Sequence, residues 1–442
     1  MSQLNKRINL YGLTMIAVGS CIGAGIFTTP NVVAQPLQNQ ALVLLIWVIG
    51  GLISLTGALT FAELGGMFPQ SGGVYVYLKK AYGDLTGFLY GWVTLLAINT
   101  GSLAALGIAF AEYLTFFFPM DAAIKTVVAI VVIAVLTLVN VIGVQVSQSL
   151  ANIFTGLKLL AIVGIAMVGI FYYDPVISDF DLSTASPESV NIYSGLLIAL
   201  IGVLWSYGGW HHASYVAGET INAQKTVPRA MMLGAIIVTF TYVLVNLAYM
   251  LLLPMEDLIA SEKVAGDAVA AVLPNGGQLV AIAIGISIFG TISIYTMSAP
   301  RIYFAMAKDG IFFKALAEIH PRFRTPANAM IIQALWAIIL LLFWGTFADL
   351  ITYVVFMDFL FMALAAFSVF LFRKKRPDLE RPYKTWGYPV VPAIFILIVA
   401  VFLVNTFINR PKQAIAGLVI AVLGGLVYST FKRSKRLDTE QV

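Results

Sequence analysis

Apolar residues run along this chain in long unbroken stretches, and short segments between them hold nearly all of its charge. A helix needs roughly 20 mostly apolar residues to cross a bilayer. Twelve stretches reach that length, at about 10–35, 41–66, 86–118, 124–144, 148–172, 190–220, 228–254, 277–300, 326–346, 348–372, 388–408 and 411–431. The pattern predicts an all-α polytopic membrane protein with 12 transmembrane helices, numbered here 1–12 in that order. Two of them carry interruptions. Helix 1 holds "AVGSCIGAGIFTTP" (17–30), with Gly19, Gly23 and Gly25 close together. Helix 6 holds "LLIALIGVLWSYGGWHHASYVAGE", with Gly208, Gly209, Trp210, His211 and His212 in mid-span. Glycine weakens a helix interior, so both spans are expected to unwind at these points.

Gly208 follows Gly23 by 185 positions, about one unit of five helices. Five is odd, so a second unit must enter the membrane from the opposite side. The expected organisation is therefore an inverted repeat, with helices 1–5 at 10–172, helices 6–10 at 190–372, and helices 11–12 at 388–431. Matched glycine breaks in two such halves point to a binding site at mid-membrane. The segments 1–9 and 432–442 are expected to be cytoplasmic termini.

Composition agrees. Of the 442 residues, 60% are hydrophobic and 11% charged, against about 25% charged in a soluble domain, and the mean hydropathy is +0.92. The sequence pI near 9.1 raises the question of nucleic acid. Placement answers it, because with both termini inside, 21 of the 26 Lys and Arg fall on the cytoplasmic side and four outside. The excess is a positive-inside topology signal, and no nucleic-acid partner is expected. Loops 5–6 and 7–8 are acidic (Asp174, Asp179, Asp181, Glu188; Glu256, Asp257, Glu262, Asp267) and fall outside. The start lacks the pattern of a cleavable signal. The lone cysteine, Cys21, excludes an intramolecular disulfide.

A G-x-x-x-G pair such as Gly19 and Gly23 can serve close helix packing alone. The matched break in helix 6 shifts the balance towards binding. Unwound backbone inside a membrane must find partners. The N-terminus of a resumed half-helix suits a carboxylate, and the carbonyls ending the first half suit an ammonium or Na⁺. Together they match the two charged groups of an amino acid.

Specific stretches then carry a family likeness. "GSCIGAGIFTTP" resembles the G-[ST]-x-I-G-[SA]-G-I-F motif of the amino acid–polyamine–organocation superfamily, in its L-type amino acid transporter branch. "WSYGGWHHASYVAGE", "FAELGGMFPQSGGVYVYLKKAYG", "PRIYFAMAKDG" and "HPRFRTP" resemble that branch at helix 6, helices 2–3 and loop 8–9. The likeness spans about 8–390 and is strongest to bacterial alanine–serine–cysteine exchanger-like members. It implies the LeuT-type 5+5 fold and amino-acid transport. It implies a substrate carboxylate on the N–H groups of Ala24 and Gly25, with Gly23 allowing the approach, and an α-amino group on the carbonyls of Cys21, Trp205 and Gly208. Ala24 replaces a serine common in the family. Trp205 stands where the family has an aromatic gate, often Phe, and its bulk narrows the site towards small side chains, although ordinary core packing would also account for it.

Lys158 lies about ten residues into helix 5. Insertion scales put a lysine at such depth at about 2.5–3.5 kcal/mol, so it should face the interior. Snorkelling would need roughly 15 Å of reach, more than its stem supplies. In the fold that the resemblance implies, helix 5 lies beside helices 1 and 8, where Na⁺-coupled relatives bind an ion. The ammonium is expected to replace that ion, with carbonyls near Ile22 and the Ser287 hydroxyl as partners, and transport is expected to be Na⁺-independent. Tyr242 matches a family tyrosine near this lysine, though a packed aromatic is the plainer alternative. Low dielectric disfavours a buried charge, so proton-coupled symport is the alternative to 1:1 exchange.

Glu63 and Glu112 are read as helix-end carboxylates, Glu63 alternatively as an internal gate. Asp358 is deeper and expected to be paired. His211 is expected to line the cavity and tune selectivity. With His320 far away and no cysteine near, no metal site is expected. No cofactor is expected either, no P-loop is present, and no nucleophile–base constellation suggests an enzyme. A channel lacks its ring of charges, and a sensor would want a signalling domain beyond the short tail. Mammalian members of the branch bind a heavy chain through a cysteine in loop 3–4. Here that loop, "FFFPMDAAIK", has none. A plasma-membrane monomer for small neutral amino acids, with no disulfide-linked subunit, is therefore expected. The neutral preference rests on the lack of an acidic residue near the breaks.

Overall fold

Capping side chains start several helices where the apolar runs begin. The Asn9 carboxamide accepts from the Gly12 N–H at 2.9 Å, Asn39 from Leu42 at 2.9 Å, and Asp121 from Ile124 at 2.8 Å. Each satisfies one of the donors that a helix N-terminus leaves open. The computed structural model describes residues 6–183, 192–343 and 347–440. Glu188, the expected start of helix 6 at 190–191, the end of helix 9 at 344–346, and the extreme termini lie outside the described residues.

Helix 1 comes in two pieces, Leu10–Cys21 and Gly25–Thr28. Helix 2 is Gln40–Met67. Helix 3 runs Asp84–Val93, passes through a π-helical turn at Thr94–Ile98, and continues as Asn99–Leu114. Helix 4 is Ala122–Val141 and helix 5 Val144–Phe171. Helix 6 is Ile192–Tyr207, resuming as the short His212–Tyr215. Helix 7 is Ala223–Leu252, helix 8 Gly276–Ser298, helix 9 Ala327–Phe343 and helix 10 Phe347–Lys375. Helix 11 is Val390–Asn409 and helix 12 Pro411–Glu440.

Among the described residues, ten of these spans are long and apolar enough to cross a membrane, while Ile192–Tyr207 and Ala327–Phe343 are apolar and each borders residues outside the description. Two expectations change at the ends. Helix 8 is followed after Ala299 by a further helix, Pro300–Lys308. Helix 12 runs on through most of the segment read as a tail.

Helix 1 sits at the centre, against helices 5, 7 and 8. Helix 6 packs on helices 2 and 10. Large apolar side chains point outward from helices 4, 5, 11 and 12, among them Leu138, Leu160, Leu397 and Leu426. A girdle of that kind belongs in lipid, where no water is available to penalise it.

Candidate functional site between two broken helices

Helix 1 ends because Ile22 leaves the helical region, at φ −74° and ψ 81°. The Gly23 N–H turns back to the Cys21 carbonyl at 2.8 Å. This is the geometry of an inverse γ-turn. The helix restarts at Gly25, and the Ala24 and Gly25 N–H groups donate to no described partner. They are the orphan donors of a fresh helix N-terminus, beside a cavity.

In helix 6 the chain turns at Gly209, whose φ is +119°. A Cβ there would stand 2.6 Å from the Ser20 carbonyl oxygen. Only glycine accepts both that φ and that approach. Gly25 is tight in the same way, since its Cβ would stand 2.9 Å from the Ser206 Cα. The Ser20 hydroxyl lies 2.7 Å from the Ile16 carbonyl and 2.8 Å from the Gly209 carbonyl, sharing its proton between them. The two breaks therefore face each other at backbone contact. Gly19 serves packing, as a Cβ there would meet the Thr155 hydroxyl at 2.2 Å.

Tyr242 ties the breaks together. Its buried hydroxyl is 2.7 Å from the Cys21 carbonyl and 2.9 Å from the Ser206 carbonyl. The Cys21 carbonyl thus already receives two donors, Tyr242 and Gly23. That alters its expected role, because both lone pairs are in use.

Lys158 is completely buried. Its ammonium donates to the Gly19 carbonyl at 2.9 Å and to the Thr291 hydroxyl at 2.5 Å. Thr291 in turn reaches the carbonyls of Gly19 and Ile22, at 3.1 and 3.0 Å. The expected partners, Ile22 and Ser287, pair with each other instead, at 3.5 Å. Thr291 stands one helical turn beyond Ser287, and Gly19 nearly one turn before Ile22. The lysine therefore reaches the helix 1 break through a threonine.

Two small adjoining cavities, one larger than the other, flank the breaks. The smaller is lined by Cys21, Gly23, Ala24 and Gly25, and the larger by His211, His212 and Asp358. Trp205, Gly208 and Tyr295 line both.

The remaining polar residues sort differently from expectation. Glu63 is no exposed helix end. It is fully buried, with Arg373 bidentate on its carboxylate at 3.0 and 2.6 Å and the Thr385 N–H at 2.7 Å. Glu112 pairs with Lys125 at 2.5 Å. Asp358 is buried at 8% exposure, and its Oδ1 has no hydrogen-bond partner, contrary to the pairing expected. It also corrects the reading that no acidic residue lies near the breaks. Among the described residues no group of three or more His, Cys, Asp or Glu could hold a metal.

Sequence reasoning missed Thr291, Tyr295 and the buried pair Glu219–Arg301, 3.1 Å apart. The π turn, which ends on the cavity-lining Ile98, carried no sequence signal. Such turns recur at functional sites.

The amino acid permease family model matches residues 8–431. This chain belongs to that family. It is 31% identical over 437 residues to the serine/threonine exchanger SteT of Bacillus subtilis, covering 98% of each chain. It is 32% identical to the human large neutral amino acids transporter small subunit 2, covering 96% of this chain and 80% of that protein. It is 31% identical to the human Asc-type amino acid transporter 1, covering 98% and 82%. The permease is thus an amino acid transporter of the amino acid–polyamine–organocation superfamily, similar to its L-type branch, and not an enzyme.

Proposed function

We propose that this permease moves small neutral L-amino acids across the plasma membrane by alternating access, in Na⁺-independent 1:1 exchange. The observation that carries the reading is the facing pair of breaks. Unpartnered N–H groups at Ala24 and Gly25 sit beside a small cavity, as a substrate carboxylate requires. The α-amino group would take the carbonyl edge of helix 6 at Trp205 and Gly208, with Cys21 already engaged by Tyr242. Trp205, shared by both cavities, would gate between them, and His211 would shape the selectivity of the larger. The inverted repeat of 10–172 and 190–372 would supply the two halves that rock around this site, with both termini cytoplasmic. Lys158 supports Na⁺ independence, because a fixed ammonium braces helices 1 and 8 where a cation would otherwise be needed. The only cysteine is buried in helix 1. A disulfide-linked subunit is therefore not part of the reading, and the permease would work as a monomer.

The test is counterflow in proteoliposomes. Labelled alanine should enter only vesicles preloaded with unlabelled amino acid, and uptake should persist when choline replaces Na⁺. Equal uptake into empty vesicles would overturn exchange, and collapse in choline would overturn Na⁺ independence. The second reading, proton-coupled symport, is favoured by the buried Lys158 and Asp358. It predicts uptake into empty vesicles driven by an imposed pH gradient.

A further inference from the structure

The larger cavity holds two unsatisfied groups that the backbone site does not use. Asp358, on helix 10, is buried with its Oδ1 unpartnered. His211, just past the helix 6 break, is 3% exposed with its Nδ1 unpartnered. Both line the same cavity. A buried polar atom without a partner is costly, so these two need a donor and an acceptor from elsewhere.

The geometry of the cavities says where a substrate would bring them. Its carboxylate belongs at Ala24 and Gly25 in the smaller cavity. The wall common to both cavities is Trp205, Gly208 and Tyr295. A substrate whose α-carbon lies at that wall directs its side chain into the larger cavity, towards Asp358 and His211.

We infer that Asp358 and His211 form a side-chain subsite selective for a hydroxyl group, so that β-hydroxy amino acids bind better than apolar amino acids of the same size. This inference rests on the transport reading above. A hydroxyl donates one hydrogen bond and accepts others. It can therefore serve a carboxylate and an imidazole at once. An apolar side chain leaves both unsatisfied. A site built for a hydroxyl rejects the analogue lacking it far more strongly than an apolar pocket distinguishes one methylene. An ammonium side chain would also satisfy the carboxylate, but cationic amino acids are long, and the cavity is small and walled by Trp205.

The experiment is competition against labelled alanine in exchange-competent proteoliposomes. L-Serine and L-2-aminobutyrate differ by a hydroxyl for a methyl. The wild type should favour serine, with the inhibition constant of 2-aminobutyrate roughly ten-fold higher. In Asp358→Leu the ratio should fall to about one or invert. Asp358→Asn, which keeps size and an acceptor, should hold an intermediate ratio, and it covers the case in which Asp358→Leu fails to fold. A wild-type ratio near one overturns the inference, as does a ratio unchanged in either variant. Lysine competing as well as serine in the wild type, and lost in Asp358→Asn, would make Asp358 a cation subsite and also overturn it. Failure of alanine exchange in the wild type would instead strike the transport reading itself.

Discussion

Tyr242→Phe removes one oxygen atom and keeps the ring. The hydroxyl is 2.7 Å from the Cys21 carbonyl and 2.9 Å from the Ser206 carbonyl, so it links the two breaks, beside the Ser20 hydroxyl on the Gly209 carbonyl. After its loss, the Cys21 carbonyl keeps the Gly23 N–H at 2.8 Å. The Ser206 carbonyl keeps no described donor. A neutral hydrogen bond contributes about 0.5–1.5 kcal/mol, and a buried acceptor left unpaired costs about 1–3 kcal/mol. A total near 2 kcal/mol is reasonable, equivalent to about 30-fold in an equilibrium constant. If binding needs the breaks held as they are, the competent population falls and the apparent affinity falls with it. The KM for alanine exchange in proteoliposomes should rise ten- to thirty-fold. Tyr249→Phe is the control, because its hydroxyl only reaches the Ile26 carbonyl at 3.5 Å. Its KM should change less than about three-fold. Equal KM values in the two variants would refute the link.

Gly209→Ala should abolish exchange, since the new Cβ would press on the Ser20 carbonyl at a φ of +119°; wild-type turnover in liposomes would contradict the close crossing. Lys158→Met should lower exchange more than ten-fold while the purified protein stays monodisperse, because two charge-assisted hydrogen bonds to helices 1 and 8 are lost. Unchanged turnover would show that the ammonium does not brace the break. Glu63→Gln should reduce thermal stability in detergent by about 3 kcal/mol, as a buried carboxylate pairs there with Arg373. A melting temperature within a degree of wild type would place that pair among the energetically silent ones.

The class of this protein was legible in its sequence because a bilayer allows so few solutions. Long apolar runs must be helices, since no other segment satisfies its own backbone in lipid. The distribution of Lys and Arg, and the glycines of helices 1 and 6, are likewise local features that need no knowledge of neighbours. So is a lysine at mid-span, which must turn inward. Which atoms those features meet is a different kind of fact. That Lys158 meets Gly19 directly and Ile22 through Thr291, and not through Ser287, depends on the register of helix 8 against helix 1, and one helical turn decides it. That Gly209 carries the crossing with Ser20 depends on the angle at which the two spans meet. Glu63 looked like a helix end until Arg373 and Thr385, more than 300 positions away, closed over it. Asp358 looked remote from the site until helix 10 brought it into the cavity beside His211. Periodicity and composition are properties of neighbours along the chain. Partners of buried polar groups are set by packing across it, and only the tertiary structure chooses them.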